Sequence, residues 1–416
     1  MSAPSLSDQP WLKAQPTQAV MAALQAAGGQ DCARFVGGCV RNALTGHPID
    51  DVDIATRLHP DQVIAAIEAA GLKAVPTGVA HGTVTAVSSG EPFEITTLRR
   101  DVETDGRRAV VAFTDDWGED AQRRDFRLNA IYADAGGVVF DPTGQGVADA
   151  LAGRIVFVGD ADVRIAEDAL RILRFFRFRA WYGRGAPDAE ALAACGRMRA
   201  RIDGLSAERI SKDLLKLLAS PDPAPTVRAM AETGVLAQTL PEAGGGLSAF
   251  ERLVTNEQKL GQTPDPLLRL AALMVGAADL AGWAQRLRLA NAQRDRLVAA
   301  LQAQGLVSAA IGPSGARQLI YRLGATAFRD GVQLAWAVSG DDEALWREQL
   351  AEVEHWRAPR FPLSGDDAIA LGMISGPQVG QALRAVEAWW VAQDFAADRA
   401  QLVAQLSALA DGVRSP

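Results

Sequence analysis

The chain has 416 residues, more than one hydrophobic core ordinarily serves, so two to four domains are expected. Hydrophobic residues make up 48% and charged residues 22%, an ordinary globular balance, while a net charge of −8 argues against nucleic acid as a partner unless Lys and Arg cluster locally. Three cysteines and four scattered histidines fit neither a disulfide framework nor a zinc site; with no secretion-signal pattern and no run of about 20 apolar residues, a cytoplasmic chain without membrane attachment is expected.

Residues 1–30 read as a leader with one short helix at 17–27. Residues 33–40 read as strand, turn and helix start, broken by Gly37-Gly38, and 52–55 as a short strand after a turn at Pro48. An amphipathic helix is expected at 60–70. Residues 83–88 and 93–98 alternate as strands about a Ser89-Gly90 turn, with 109–113 and 131–133 as edge pieces. From Asp162 onward the pattern is helical: 163–182, 188–197, 207–218, 224–233, 266–275, 282–286, 291–302, 325–338, 343–355, 366–371, 377–393 and 397–410. The fold class is therefore α+β, a strand-rich head followed by a long helical extension.

Three segments carry chemistry. In residues 37–56, GGCVRNALTGHPIDDVDIAT, Gly37 and Gly38 open a helix whose bare backbone can approach a triphosphate, and Arg41 lies one turn further on. Asp51 and Asp53, two apart on a strand, put both carboxylates on one face, an arrangement that calls for a cation such as Mg2+ between them. Glu94, on the 93–98 strand, is the candidate third carboxylate. In residues 123–130, RRDFRLNA, Arg124 and its neighbour can meet triphosphate oxygens, and Asp125 can accept from a ribose hydroxyl. In residues 164–179, RIAEDALRILRFFRFR, helical spacing puts Ile165, Ala169, Leu173, Phe176 and Ala180 on a core face, with Glu167, Arg171, Arg174 and Arg177 opposite. Asp168 accepts and Arg171 donates hydrogen bonds, so together they can imitate one Watson–Crick edge and read a base without a template.

These segments, in this order, resemble the class II tRNA nucleotidyltransferase and bacterial poly(A) polymerase family. GGxVR with DxDIAT, RRDFxxNA, the stretch DPTGQGVADALAG at 141–153, EDxxR at 167–171 and ERISKDLLKLL at 208–218 carry the likeness, which covers residues 37–218. The resemblance implies a polymerase-β-like head at 31–160, a base-reading neck at 161–220, a helical body at 221–310 and a tRNA-binding tail at 311–416. By position, Gly37, Gly38, Arg41, Arg124, Asp168, Arg171, Arg174 and Arg177 match nucleotide-binding residues, and Asp51 and Asp53 the metal ligands. Two positions depart from the family pattern. Asn42 stands where the family usually has Asp, and Ala169 where Pro often follows the Asp of EDxxR.

The implied activity is template-independent addition of CMP and AMP, from CTP and ATP, to the tRNA 3′ end, with Mg2+ as cofactor. Poly(A) polymerase and partial CC- or A-adding enzymes are the alternatives, and a noncatalytic RNA-binding homologue is a remote one. A flexible loop at 99–119 is expected to bear on the choice between full and partial addition. Arg174, Arg177, Arg179, Arg197, Arg199, Arg201 and Arg209 supply the basic cluster that an acidic chain needs to hold RNA.

Overall fold

The computed structural model describes residues 4–105, 108–340 and 343–414. They form two compact units, Met1–Pro241 and Glu242–Pro416.

In the first unit, α1 (Pro10–Lys13) and α2 (Gln15–Gly28) precede β1 (Ala33–Val36) and α3 (Gly38–Thr45). Then come β2 (Asp53–Thr56), α4 (Pro60–Ala69), β3 (Lys73–Gly78), β4 (Thr83–Ser88) and β5 (Glu91–Thr97). The remaining strands are β6 (Arg99–Asp105), β7 (Arg108–Phe113), β8 (Tyr132–Ala133) and β9 (Val139–Phe140), with α5 (Trp117–Gln122) before β8 and α6 (Gly146–Ala152) after β9. Seven strands make one sheet in the order β3-β4-β5-β2-β1-β8-β9, while β6 and β7 form a separate ribbon. Neighbours are antiparallel except β2 and β5, whose parallel register sets Asp53 opposite Glu94. The β4–β5 hairpin turns at Ser89 and Gly90, with φ of 53° and 86°, the pair of positive angles that a tight two-residue hairpin turn requires.

The neck helices are α7 (Ala161–Glu167), α8 (Leu170–Tyr182), α9 (Ala189–Arg197), α10 (Ala207–Leu218), α11 (Ala224–Glu232) and α12 (Val235–Thr239). The single helix expected at 163–182 is broken. Asp168 is extended (φ −149°, ψ 106°) and ends α7, and its Oδ1 accepts from the N–H of Leu170, the first residue of α8, at 3.0 Å. The α8 core face is wider than the spacing suggested: Leu170, Ile172, Leu173, Phe175, Phe176 and Phe178 are buried, and Phe175 and Phe178 meet Phe126 and Phe157 of the head.

The second unit is helical: α13 (Leu247–Leu260), α14 (Pro266–Leu273), α15 (Leu280–Arg286), α16 (Asn291–Gln304), α17 (Gly312–Leu323), α18 (Ala325–Ser339), α19 (Glu343–His355), α20 (Gly365–Ala370), α21 (Pro377–Ala392) and α22 (Arg399–Arg414). Two expected boundaries move. Residues 221–241 belong with the neck, because α11 packs on α8 and α12 on the turn Arg199–Gly204. No break falls at 310 either. Val307, Ala316, Ile320, Phe328, Trp336, Trp346 and Val353 share one core, and the last core collects Leu363, Val386, Trp390, Leu402 and Leu406. Among the described residues no helix is long and apolar enough to cross a membrane.

Candidate active site

Asp53 opens β2 at the point where the sheet leaves the chain free to turn. Asp51 lies before the strand and is exposed, not on the strand as expected. The reason is in its neighbours. β1 ends at Val36, where Gly37 turns with φ 71°, and two residues back from Glu94 the parallel partner is Pro92, which has no N–H to donate. Half-buried Asp53 therefore stands at a strand end between exposed Asp51 and exposed Glu94. Burial first, and then the charges of Glu94 and Asp51, push the Asp53 carboxyl up to about 6, against an opposing pull from Arg124. Among the described residues no three His, Cys, Asp or Glu side chains close into a preformed metal cage. The donor set instead suits a hard divalent cation held by one or two carboxylates and completed by water and phosphate.

The glycine turn lies beside this acidic end. A Cβ on Gly37 would stand 3.7 Å from Nη1 of Arg124, and one on Gly38 would stand 4.0 Å from Nη2 of Arg41. Arg124 is held by Asp120, with Nη2 at 3.0 Å and Nε at 3.3 Å from Oδ2, and its Nε also reaches the Tyr132 hydroxyl at 3.2 Å. Burial would raise the Asp120 carboxyl, but Arg124 and Arg123 outweigh it and hold the group at about 2. Arg41 does not point to solvent. Its guanidinium donates to Asn129 Oδ1 and to the Tyr182 hydroxyl at 2.8 Å, and lies 4.1 Å from the Tyr182 ring centre, so it bolts α3 to the end of α8. Asn42, the departure from the family pattern, accepts from Arg41 Nη2 at 2.8 Å and donates to the Pro48 carbonyl at 2.6 Å. An Asp there could not make the second bond.

In the neck, the expected row of open arginines is a row of matched pairs. Arg171 meets Glu167, Arg174 meets Asp125, and Arg177 meets Asp213 at 2.7 Å. The side chains of Asp168 and Arg171 do not bond to one another, although the Arg171 N–H donates to the Asp168 carbonyl at 3.0 Å: the Asp168 carboxylate carries Arg209 at 2.7 Å, and the Arg171 guanidinium also donates to the carbonyls of Arg164 (2.9 Å) and Arg123 (3.2 Å). Asp125 differs from the expectation of an open ribose acceptor. It is buried, one oxygen accepting from Asn129 at 3.0 Å and from the Phe126 N–H at 2.9 Å, the other taken by Arg174. Arg197 is paired with Asp162, whereas exposed Arg199 and Arg201 donate to the carbonyls of Gly196 (2.7 Å) and Ala166 (3.1 Å), which leaves their charge uncancelled by those partners. Sequence reasoning missed Asp120, Tyr132 and Tyr182. Asp120 was open to discovery, since it lies three and four residues before the Arg pair of RRDF on one helical face.

The stretch 99–119 is not a loop. It forms the β6–β7 ribbon and the start of α5, with Gly106 and Arg107 outside the described residues.

Two family models match the chain. One is the poly A polymerase head domain over residues 33–156, and the other is the probable RNA and SrmB-binding site of polymerase A over residues 186–244. The chain is 32% identical over 381 residues to the mitochondrial CCA tRNA nucleotidyltransferase 1 of Danio rerio, covering 90% of this chain and 86% of that protein. It is 40% identical over 208 residues to the CCA-adding enzyme of Geobacillus thermodenitrificans, covering 49% of each. A crystal structure of the Bacillus stearothermophilus CCA-adding enzyme in complex with CTP superposes with a TM-score of 0.77 at 28% identity, covering 96% of this chain and 99% of that one.

Proposed function

This chain belongs to the CCA-adding tRNA nucleotidyltransferase family, and from that premise we propose that it adds CMP twice and AMP once to the tRNA 3′ end, with pyrophosphate leaving at each step. The observation that carries the assignment of the centre is the crowding of Asp53 by Glu94 and Asp51 beside the Gly37 turn and Arg124. Asp51 and Asp53 hold Mg2+, and Glu94 lends further negative charge from the neighbouring strand. When bound there, Mg2+ supplies charge neutralisation for the triphosphate and activation of the attacking hydroxyl.

The other roles follow from position. Gly37 and Gly38 let the backbone at the α3 N-terminus approach the phosphates, Arg124 presents Nη1 beside them, and Arg41 adds charge from behind Gly38 while fixing α3 to the neck. Asp168 and Arg171 read the base by exchanging their present partners, Arg209 and Glu167, for its edge. Arg177 of α8 is held by Asp213 of α10, and Arg174 by Asp125, which gives Asp125 a positioning role. Exposed Arg199 and Arg201 contribute to tRNA binding. Three buried free thiols suit a reducing compartment and support a cytoplasmic placement.

The test is to incubate the protein with Mg2+ and a tRNA that ends at its discriminator base, with CTP, ATP or both, and to sequence the 3′ ends. CTP alone should give CC and both together CCA. Long A tails, arrest at CC with both nucleotides present, or addition only to tRNA that already ends in CC would replace the proposal with one of the partial or poly(A) activities.

A further inference from the structure

We propose that Asp120 is a positioning residue for nucleotide addition, fixing one edge of the Arg124 guanidinium so that the other edge faces the Gly37 turn where the triphosphate lies. The inference rests on the reading of Arg124 as a phosphate contact.

Asp120 lies on α5, whose first turn is capped by Asp116 accepting from the Gly118 N–H at 2.6 Å. Arg123 and Arg124 follow it by three and four residues, so all three side chains gather on one side. The Asp120 side chain is 1% exposed, and such a carboxylate persists only if its oxygens are well satisfied. They are. Oδ1 accepts from Arg123 Nε at 2.8 Å and from the Arg99 N–H at 3.4 Å. Oδ2 accepts from the Tyr132 hydroxyl at 2.7 Å and from Nη2 and Nε of Arg124.

Two consequences follow from this geometry. Tyr132 is the register partner of Val36, the residue just before the Gly37 turn, so the Tyr132–Asp120 bond indexes α5 to the sheet beside that turn. And Asp120 engages Nε and Nη2 of the planar fork of Arg124, which leaves Nη1 directed to the turn with a long 3.5 Å contact to the Asn129 carbonyl. A guanidinium held on one edge is presented to a ligand on the other without the rotamer cost of ordering it at binding.

The test measures equilibrium binding of CTP and of CMP to the full chain in Mg2+, with the unfolding midpoint recorded alongside. Asp120→Asn keeps the shape and one acceptor but removes the charge. It should weaken CTP about tenfold, the worth of one ionic hydrogen bond, and leave CMP within about twofold. Tyr132→Phe, which keeps the carboxylate, should shift the CTP-to-CMP ratio the same way by less. In an Arg124→Ala background, Asp120→Asn should change the ratio no further. A merely structural Asp120 would weaken both ligands alike or neither. An unchanged ratio in folded Asp120→Asn overturns the proposal. If that variant does not fold, an unchanged ratio in Tyr132→Phe does. Should Arg124→Ala itself leave the ratio intact, it is the phosphate reading of Arg124 that fails; should Arg124→Ala lower the ratio while Asp120→Asn does not, the failure belongs to Asp120 alone.

Discussion

Asp53→Asn should make the metal-free protein more stable while destroying its activity. The Asp53 carboxyl is pushed from an ordinary 3.8 to about 6, by burial first and then by Glu94 and Asp51. At about 1.4 kcal/mol for each tenfold, ionised Asp53 costs the fold up to about 3 kcal/mol. Solvent screening of a half-buried group brings this to about 1–3 kcal/mol. The sign follows from linkage. The folded state binds this proton more tightly than the unfolded chain, so the cost sets in as pH rises through 3.8 and is complete above about 6. Asn, neutral and nearly isosteric, carries no such cost. Amide hydrogen exchange in β1, β2 and β5, in EDTA from pH 4 to pH 8, reads the unit Met1–Pro241 by itself. The variant should be more protected at pH 8 by about 1–3 kcal/mol, the gap should close by pH 4, and Mg2+ should narrow it at pH 8 by stabilising the wild type. A variant less stable than wild type at pH 8 in EDTA, or a gap independent of pH, would refute the reasoning.

Arg171→Ala should let UTP or GTP into the tRNA end at a detectable level, because a lost donor pair typically costs about 1–3 kcal/mol of discrimination; equal slowing for all four nucleotides would remove Arg171 from base reading. Reversing charge at Arg199 and Arg201 together should flatten the salt dependence of tRNA affinity without altering the CTP-to-ATP preference, whereas an unchanged slope would place the RNA on another surface. In the second unit, Arg269 and Glu257 form a buried pair at 2.7 Å, with side chains 1% and 3% exposed. Arg269→Met should cost about 3–5 kcal/mol in urea unfolding by stranding the Glu257 charge. The double variant with Glu257→Leu should recover most of that loss, and a single-variant cost below about 1 kcal/mol would contradict it.

The head was legible because its elements follow local chemistry. Ser89-Gly90 marks its hairpin and Gly37-Gly38 its strand-to-helix turn, because Gly37 (φ 71°) and Gly90 (φ 86°) take up angles that few other residues accept. β3 was missed because Pro76 argues against a strand, and it proves to be an edge strand, where proline does no harm. β6 was missed because RRDVETD has no apolar alternation: it pairs only with β7, in a ribbon apart from the main sheet. Ala249, Phe250, Leu253 and Val254 of α13 have helical apolar spacing and are buried, but the glycine run just before them is a loop signal that masks the helix start. At the site, residue types and order nominate Asp51, Asp53, Arg124, Asp168 and Arg171. What the sequence withheld was pairing at long range: Asp213 for Arg177, Tyr182 for Arg41, Arg209 for Asp168. Those partners lie 36 to 141 residues away, and no periodicity reports them.

The most direct test of the catalytic centre is turnover of Asp51→Ala and Asp53→Ala on tRNA lacking its CCA end, measured beside tRNA affinity in the same preparations. Removing a metal ligand forfeits several kcal/mol of transition-state stabilisation. Both variants should therefore lose nucleotide addition by orders of magnitude while binding tRNA about as tightly as the wild type. Turnover within tenfold of wild type in both would contradict the assignment of Asp51 and Asp53 as the metal-holding pair.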